Sequence, residues 1–221
     1  MKFCVVIPAR NEARAIGSLV VALRQKQLDV FVIDDASADA TASIAQNAGA
    51  HDLINPERRG KGGSLKRGFE HVKSLPYDGV FAIDGDGQHD PDDLPAFITF
   101  AQAHPRCVIS GNRMGNCKNM PFVRVCTNRF MSWMISSACG RTIPDTQCGY
   151  RYLSMSVLKE IPLVSDDFEI ETEMLVKACR AGIPVFSVPI RTIYGEETSK
   201  IHPWKDTVRF FKYFFQVILT R

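Results

Sequence analysis

The sequence predicts an α/β fold: one domain on a mostly parallel central sheet, with helices on both faces. Three observations carry that prediction. Apolar, β-branched runs alternate with segments of helical period along the first half of the chain, the pattern of a sheet wound by crossover helices. The 221 residues suit one large domain with a substantial core better than two. The hydrophobic share, 45%, is ordinary for a globular protein.

The elements follow in order. KFCVVIP (2–8) is a β-branched run stopped by a proline, hence a buried strand. In EARAIGSLVVALRQK (12–26), Ile16, Leu19, Val20 and Leu23 recur at helical spacing. DVFVIDD (29–35) is a second strand, and ADATASIAQNAG (38–49) a helix ending at Gly49. Gly60-Lys61-Gly62-Gly63 is a loop that opens the helix SLKRGFEHVKSL (64–75). GVFAIDGD (79–86) is a strand, DPDDLPAFITFAQAH (90–104) a helix with a proline near its start, and CVISGNR (107–113) another strand. After Arg113 the alternation blurs. Pro121 to Gly140 reads as a helix, FEIETEMLVKACRAG (168–182) as a helix closed by Gly182, and PVFSVPIRTIYG (184–195) as one kinked strand or a pair. Trp204 to Thr220 reads as a last helix. The expected organisation is a domain over 1–203 and an amphipathic C-terminal helix over 204–221.

Composition narrows the function. Net charge is only +3, and no nucleic-acid partner is expected. The distribution is more telling. Leu94 to Pro144 holds no acid but carries Arg106, Arg113, Lys118, Arg124, Arg129 and Arg141, and Lys200 to Arg221 holds five basic residues against Asp206. Both stretches suit an anionic partner; the plain alternative is a solvated basic face. The seven cysteines are widely spaced, odd in number and without a C-x-x-C, which fits reduced thiols in a cytoplasmic protein rather than a disulfide framework or a zinc site. The first apolar run turns polar too soon for a signal peptide, and no run reaches the ~20 apolar residues of a membrane span.

In open α/β sheets ligands bind beyond the carboxyl ends of the strands. Three strand ends here carry polar groups: Pro8 to Glu12, Asp34-Asp35, and Asp84 with Asp86. Asp34-Asp35 alone also fits a turn and helix cap, since Ser37, Asp39 and Thr41 follow. Two carboxylates at i and i+2 in a turn can face one cation, and hard oxygen ligands suit Mg²⁺ or Mn²⁺ shared with substrate phosphates. Gln88 adds a neutral oxygen. An EF-hand loop from Asp84 fails, with His89 at its sixth place and Pro95 at its twelfth. An Asp-nucleophile phosphatase with an Asp-x-Asp-Gly turn would place that turn on its first strand. No Gly-x-Gly-x-x-Gly follows the first strand, against a dinucleotide fold.

VVIPARNE, VIDDASADAT, RRGKGGSLKRGF, AIDGDGQHDP, DTQCGYR and YGEETSKIHPWKD occur in that order over residues 5 to 206. Together they resemble a family 2 glycosyltransferase of GT-A, Rossmann-like fold, nearest to the dolichyl-phosphate-mannose-synthase type of polyisoprenyl-phosphate sugar transferases. The resemblance implies a nucleotide-sugar donor (GDP- or UDP-sugar), a divalent metal and a lipid acceptor such as a polyprenyl phosphate. Pro8, Ala9, Arg10 and Glu12 would line the nucleotide pocket, Asp34 would meet the nucleoside, and Asp35 would support it. Lys61 would lie near the nucleotide. Asp84, Asp86 and Gln88 would hold the metal. Arg191 and Lys200 would close over the phosphates, and Arg113, Arg124 and Arg129 would meet the acceptor phosphate. One departure stands out: Gln147-Cys148-Gly149-Tyr150-Arg151 occupies the place of a Ser-Gly-Phe-Arg, which marks a subgroup with another acceptor as an alternative.

The implied mechanism is inverting, with negative charge growing on the leaving diphosphate. A phosphate acceptor is already ionised near neutral pH and needs no strong base. A hydroxyl acceptor would need one, for which Glu169, Glu171 and Glu173 are the candidates, Glu171 foremost. The last helix carries Trp204, Val208, Phe211, Phe215 and Ile218 at helical spacing, with Lys205, Arg209, Lys212 and Gln216 as a narrow polar stripe. That suits peripheral contact with the cytoplasmic face of a membrane; burial against the domain or against a second subunit of a homodimer is the alternative.

Overall fold

A computed structural model describes residues 1–117, 120–193 and Phe214. Its sheet forms from strict alternation. Along β1 (Phe3–Ala9), Phe3, Val5, Ile7 and Ala9 face one helical layer while Cys4 and Val6 face the other. The same period of two divides β2 (Asp29–Asp34), with Val30 and Val32 on the first face and Phe31 and Ile33 on the second. Strands buried on both sides read as continuous apolar runs, as these do.

The helices supply one apolar stripe each. From α1 (Ile16–Gln25), Ile16, Leu19, Val20 and Leu23 pack on the first face, beside α2 (Thr41–Asn47). From α3 (Gly60–Lys73), Leu65, Phe69 and Val72 pack on the second. A Cβ at Gly68 would stand 2.5 Å from a Val6 methyl, so this glycine sets how closely α3 lies on β1. After β3 (His51–Ile54) and β4 (Gly79–Ala82), a 3-10 turn at Pro91–Asp93 leads into α4 (Leu94–Ala103), which returns to the first face through Leu94, Phe97 and Ala101.

The chain then runs through β5 (Val108–Asn112), α5 (Phe122–Cys139), β6 (Arg151–Ser154), α6 (Met155–Glu160), α7 (Glu169–Arg180) and β7 (Val185–Pro189). The sheet order is β3-β2-β1-β4-β6-β5-β7. Every pairing is parallel except those of β6, which runs antiparallel to β4 and to β5. The predicted single α/β domain is therefore the observed one.

Three local readings differ. β3 and β6 span four residues each and carry no alternation long enough to see. The strand before Asp84 stops at Ala82, leaving both aspartates in the turn. The glycine run is the first turn of α3 rather than a loop before it. The segment read as one kinked strand or a pair holds β7, which ends at Pro189, and Thr192 then pairs antiparallel with His89. The predicted last helix lies outside the described residues except for Phe214, which is helical and buried against Ile135 of α5 and Val176 of α7. Among the described residues no helix is long and apolar enough to cross a membrane.

Candidate active site

The polar strand ends meet on one edge, and backbone hydrogen bonds weld them. Ala9 and Asp34 are paired in register, the Asp35 N–H donates to the Ala9 carbonyl (2.8 Å), and the Asn55 N–H donates to the Asp34 carbonyl (2.8 Å). Pro8 is half-buried, Arg10 is exposed and Glu12 is half-buried just beyond β1. The loop they begin is tied to the one after β2: the Asn11 N–H donates to Ser37 Oγ (3.0 Å), the Ala38 N–H to Asn11 Oδ1 (2.8 Å), and the Glu12 N–H to Thr41 Oγ1 (2.8 Å). Asn11 and Ala36 both adopt φ of 54°, a left-handed conformation that costs a non-glycine residue energy and persists where its surroundings enforce it.

Asp34 and Asp35 are both buried, with different tasks. Asp34 Oδ1 accepts the Ser37 N–H (2.7 Å) and so closes the turn. Asp35 accepts the Arg59 N–H (2.7 Å), the Gly60 N–H (3.0 Å) and the Asn55 amide (3.0 Å). It thereby satisfies the otherwise unpaired N–H groups that open α3. The glycines of that turn answer to protein rather than to empty space. A Cβ at Gly62 would come within 2.5 Å of the Ser165 carbonyl, and the Gly63 N–H donates to the Asp166 carbonyl (2.9 Å).

This close approach carries Lys61 into the site. Its Nζ lies 2.6 Å from Asp84 Oδ1 and 2.6 Å from Glu171 Oε1. Burial alone would lower the Lys61 pKa; the two carboxylates outweigh it and raise the pKa well above the ordinary lysine value. Burial alone would raise the Asp84 pKa; Lys61 and His89, whose Nε2 is 3.5 Å away, hold it far below the usual carboxylate range. His89 is itself buried, and its Nδ1 has no hydrogen-bond partner among the described residues. Asp84 is also held from behind, because a Cβ at Gly149 would collide with its carboxylate.

Asp86 differs. It is half-buried, its Oδ1 accepts the Gln88 N–H (3.0 Å), and it makes no ion pair among the described residues. Asp84, Asp86 and Gln88 are hard oxygen donors on one short turn. No three His, Cys, Asp or Glu side chains converge as a cage among the described residues. Two carboxylates and an amide oxygen fit an ion whose remaining ligands come from substrate oxygens.

The three candidate glutamates separate. Glu171 is buried against Lys61. Glu173 is fully buried and accepts the Val164 and Ser165 N–H groups (2.9 and 2.8 Å) with Lys177 at 2.6 Å, which staples the 161–168 loop under the glycine turn. Glu169 is half-buried in the first turn of α7.

The basic residues separate too. Arg113 is buried and forked onto fully buried Asp145, Nε to Oδ2 at 2.8 Å and Nη2 to Oδ1 at 3.0 Å, with its own N–H on Oδ2 at 3.1 Å. Burial would raise the Asp145 pKa; Arg113 outweighs it and holds the carboxyl below its ordinary value. Arg124 is half-buried and Arg129 exposed on α5. Five residues apart on a helix, they stand about 140° apart around its axis. Arg191 is exposed; its Nη2 lies 3.1 Å from Asp90 and its N–H donates to Asp93 (2.8 Å). Lys200 lies outside the described residues.

Sequence reasoning passed over three residues that shape this edge. His89 stood in the aspartate turn itself. Gly149 and Arg151 stood in the DTQCGYR motif, but without a role of their own. Arg151 is fully buried, and its guanidinium donates to the carbonyls of Cys148 (2.9 Å), Thr146 (2.7 Å) and Glu171, so one cation joins the Gly149 loop to α7.

The family model described as glycosyl transferase family 2 matches residues 4–162, from β1 through α6. The chain belongs to glycosyl transferase family 2. This glycosyltransferase is 30% identical over 223 residues to an uncharacterized protein of Methanocaldococcus jannaschii, covering 98% of the chain and 91% of the relative. It is 28% identical over 214 residues to UDP-N-acetylglucosamine--dolichyl-phosphate N-acetylglucosaminyltransferase of Methanococcus voltae, covering 86% of the chain and 85% of the relative. Its fold is that of glucosyl-3-phosphoglycerate synthase from Mycobacterium tuberculosis, crystallised with Mn²⁺, uridine diphosphate and glucosyl-3-phosphoglycerate. The TM-score is 0.74 at 18% identity, covering 99% of this chain and 79% of that one. The GT-A architecture read from the motifs is thus the observed one.

Proposed function

We propose that this glycosyltransferase moves a sugar from a GDP- or UDP-sugar to a polyprenyl phosphate, with inversion at the anomeric carbon and with Mg²⁺ or Mn²⁺ held by Asp84, Asp86 and Gln88. One observation carries the reading. Lys61 already balances Asp84, while Asp86 beside it has no cation among the described residues. A turn carboxylate left that way, next to donors of the same hard character, suits a divalent ion. When bound, the ion would supply positive charge against the leaving diphosphate.

The chain's own residues do the rest. Pro8, Ala9, Arg10 and Glu12 line the nucleotide pocket, Asp34 meets the nucleoside, and Asp35 keeps the Arg59–Gly60 backbone in place beneath it. Lys61 fixes Asp84 and Glu171 so that neither moves as charge develops, which is the preorganisation that electrostatic catalysis depends on. Arg191 and Lys200 close over the phosphates; for Arg191 this exchanges the carboxylates of Asp90 and Asp93 for phosphate oxygens.

On the acceptor side, Arg124 sits half-buried in the first turn of α5 and takes the acceptor phosphate. Arg129 borders the exposed apolar side of the same helix, where Phe122 is 79% and Trp133 66% exposed. That side rests on the lipid, which places the enzyme peripherally at a membrane surface. Arg113, committed to Asp145, positions the loop that carries Gly149. The relative from Methanococcus voltae, named for a dolichyl-phosphate acceptor, supports this acceptor class.

A second reading, a hydroxyl acceptor, is favoured by Glu171, a buried carboxylate bridged to Asp84 by one lysine. One experiment separates them. Purified protein is given a panel of GDP- and UDP-sugars with polyprenyl phosphate or the matching polyprenol, with Mg²⁺, Mn²⁺ or EDTA, and the product anomer is read by NMR. Transfer to the phosphate alone, lost in EDTA, is expected. Equal transfer to the polyprenol favours the second reading, and full activity in EDTA removes the metal.

A further inference from the structure

Lys61 is the second residue of α3, and its backbone is wedged in place. A Cβ at Gly60 would stand 2.6 Å from the Asp166 carbonyl oxygen, and one at Gly62 2.5 Å from that of Ser165, so the chain on either side of the lysine lies hard against another backbone segment. The Lys61 side chain runs over the Phe168 ring, with Nζ 5.6 Å from its centroid, and ends between two carboxylates. Asp84 Oδ1 and Glu171 Oε1 are each 2.6 Å from Nζ. The other Asp84 oxygen faces His89 Nε2 at 3.5 Å. Asp86, two residues on, accepts the Gln88 N–H on Oδ1 and makes no ion pair among the described residues. Of the two carboxylates offered to a divalent ion, one already carries a cation and the other does not.

We infer that Lys61 makes binding of the divalent ion depend on the nucleotide: its ammonium, staying on Asp84, weakens the ion's hold on that carboxylate until the donor's diphosphate arrives. This rests on the metal reading proposed above and deepens it. The physical reason is charge. An ion ligated by Asp84 becomes a close neighbour of Nζ, because the two share one small carboxylate. Like charges that close repel, and a site with this little exposure screens the repulsion poorly. Lys61 has no easy way aside, since the wedged turn fixes its backbone and Glu171 holds its ammonium. Without nucleotide, the ion gains Asp86 and Gln88 but meets Lys61 at Asp84. A diphosphate brings oxygen ligands for the ion and negative charge for both cations. Ion and nucleotide then bind as a coupled pair, each raising the other's affinity by the same factor.

The test is Mn²⁺ binding to the full chain, read from the EPR signal of the free ion, with and without saturating GDP or UDP. The unsubstituted protein should bind the ion weakly alone and about tenfold or more tighter with nucleotide. Lys61→Gln and Lys61→Met both remove the charge; a melting curve checks that each is folded, and either one suffices. In them the ion's affinity without nucleotide should rise about tenfold, and the gain from nucleotide should shrink to match. Lys61→Arg should behave as the unsubstituted chain. So should Lys66→Gln, which removes the same charge further along the same helix. Mn²⁺ bound equally well by the unsubstituted chain with and without nucleotide, or with unraised affinity by the neutral variants, would overturn the inference and leave the metal reading standing. No Mn²⁺ bound by any of the proteins under either condition would remove that reading, and the inference with it.

Discussion

At the ends of β1, β2 and β4, carboxylates are matched to donors one by one: Asp34 to Ser37, Asp35 to Arg59, Gly60 and Asn55, Asp84 to Lys61. On the outward side of α5 the opposite holds. Phe122, Val123, Phe130 and Trp133 are exposed, and among the described residues no hydrogen bond or ion pair fixes the exposed Arg129. The two regions lie next to each other in the fold but obey different physics. The strand-end edge is rigid because its buried carboxylates are each matched to donors, and a rigid edge can meet developing charge without first reorganising. The α5 side keeps apolar area and positive charge in water, a cost that a partner covering both would remove.

That contrast can be broken most severely at its boundary. Asp145→Ala would leave the buried Arg113 guanidinium without its counter-charge, and loss of one partner of a buried pair costs about 3–5 kcal/mol. Urea denaturation would measure it. A loss below about 1 kcal/mol would mean that Arg113 is not locked and belongs with the open basic residues of α5.

Asp86→Ala should separate site from scaffold. Transfer should fall by about 10²–10³-fold or more, which is about 3–4 kcal/mol. Stability should change by no more than ~0.5 kcal/mol, because a turn carboxylate without a buried partner holds nothing together. Initial rates at saturating substrates and a melting curve give both values; an active variant would sink the metal reading.

Gly149→Ala sharpens the comparison from inside the rigid edge. The added methyl collides with the Asp84 carboxylate, and overpacking costs roughly 1–3 kcal/mol. Part of that strain should appear as lost transfer, because Asp84 must move off Lys61. Unchanged rates would show that the edge yields more readily than its hydrogen bonds suggest.

The smallest effect belongs to α5. Arg124→Ala should raise the acceptor KM by about tenfold, ~1.4 kcal/mol, and leave the donor KM unchanged. Arg129→Ala should do less, since it points elsewhere around the helix. Measuring the two substrates separately decides it: a rise in donor KM would assign these arginines to the nucleotide.

Much of this was legible in the chain. The alternation in KFCVVIP and DVFVIDD sets which side chains face which layer, because the pleat has a period of two whatever surrounds it. The placing of Pro8 to Glu12, Asp34-Asp35 and Asp84 with Asp86 at strand ends followed from the same runs, since in a parallel sheet those ends share an edge. Even the divergence of Arg124 and Arg129 is implicit in their five-residue spacing on a helix.

What only the tertiary structure decided is who meets whom. β6 slips antiparallel between β4 and β5, and four residues hold too little pattern to announce that. The glycines at 60, 62 and 63 read as a loop in sequence, but a Cβ at Gly60 or Gly62 would meet the backbone of Asp166 or Ser165, and one at Gly63 the Arg59 side chain. Lys61 finds Glu171 across 110 positions, and Arg113 finds Asp145 across 32. Side-chain type and local period are properties of neighbouring residues, so the sequence by itself determines them. Ion pairs and close backbone approaches depend on long-range packing, and the same arginine can be a buried strut or an open phosphate ligand until the fold places its carboxylate.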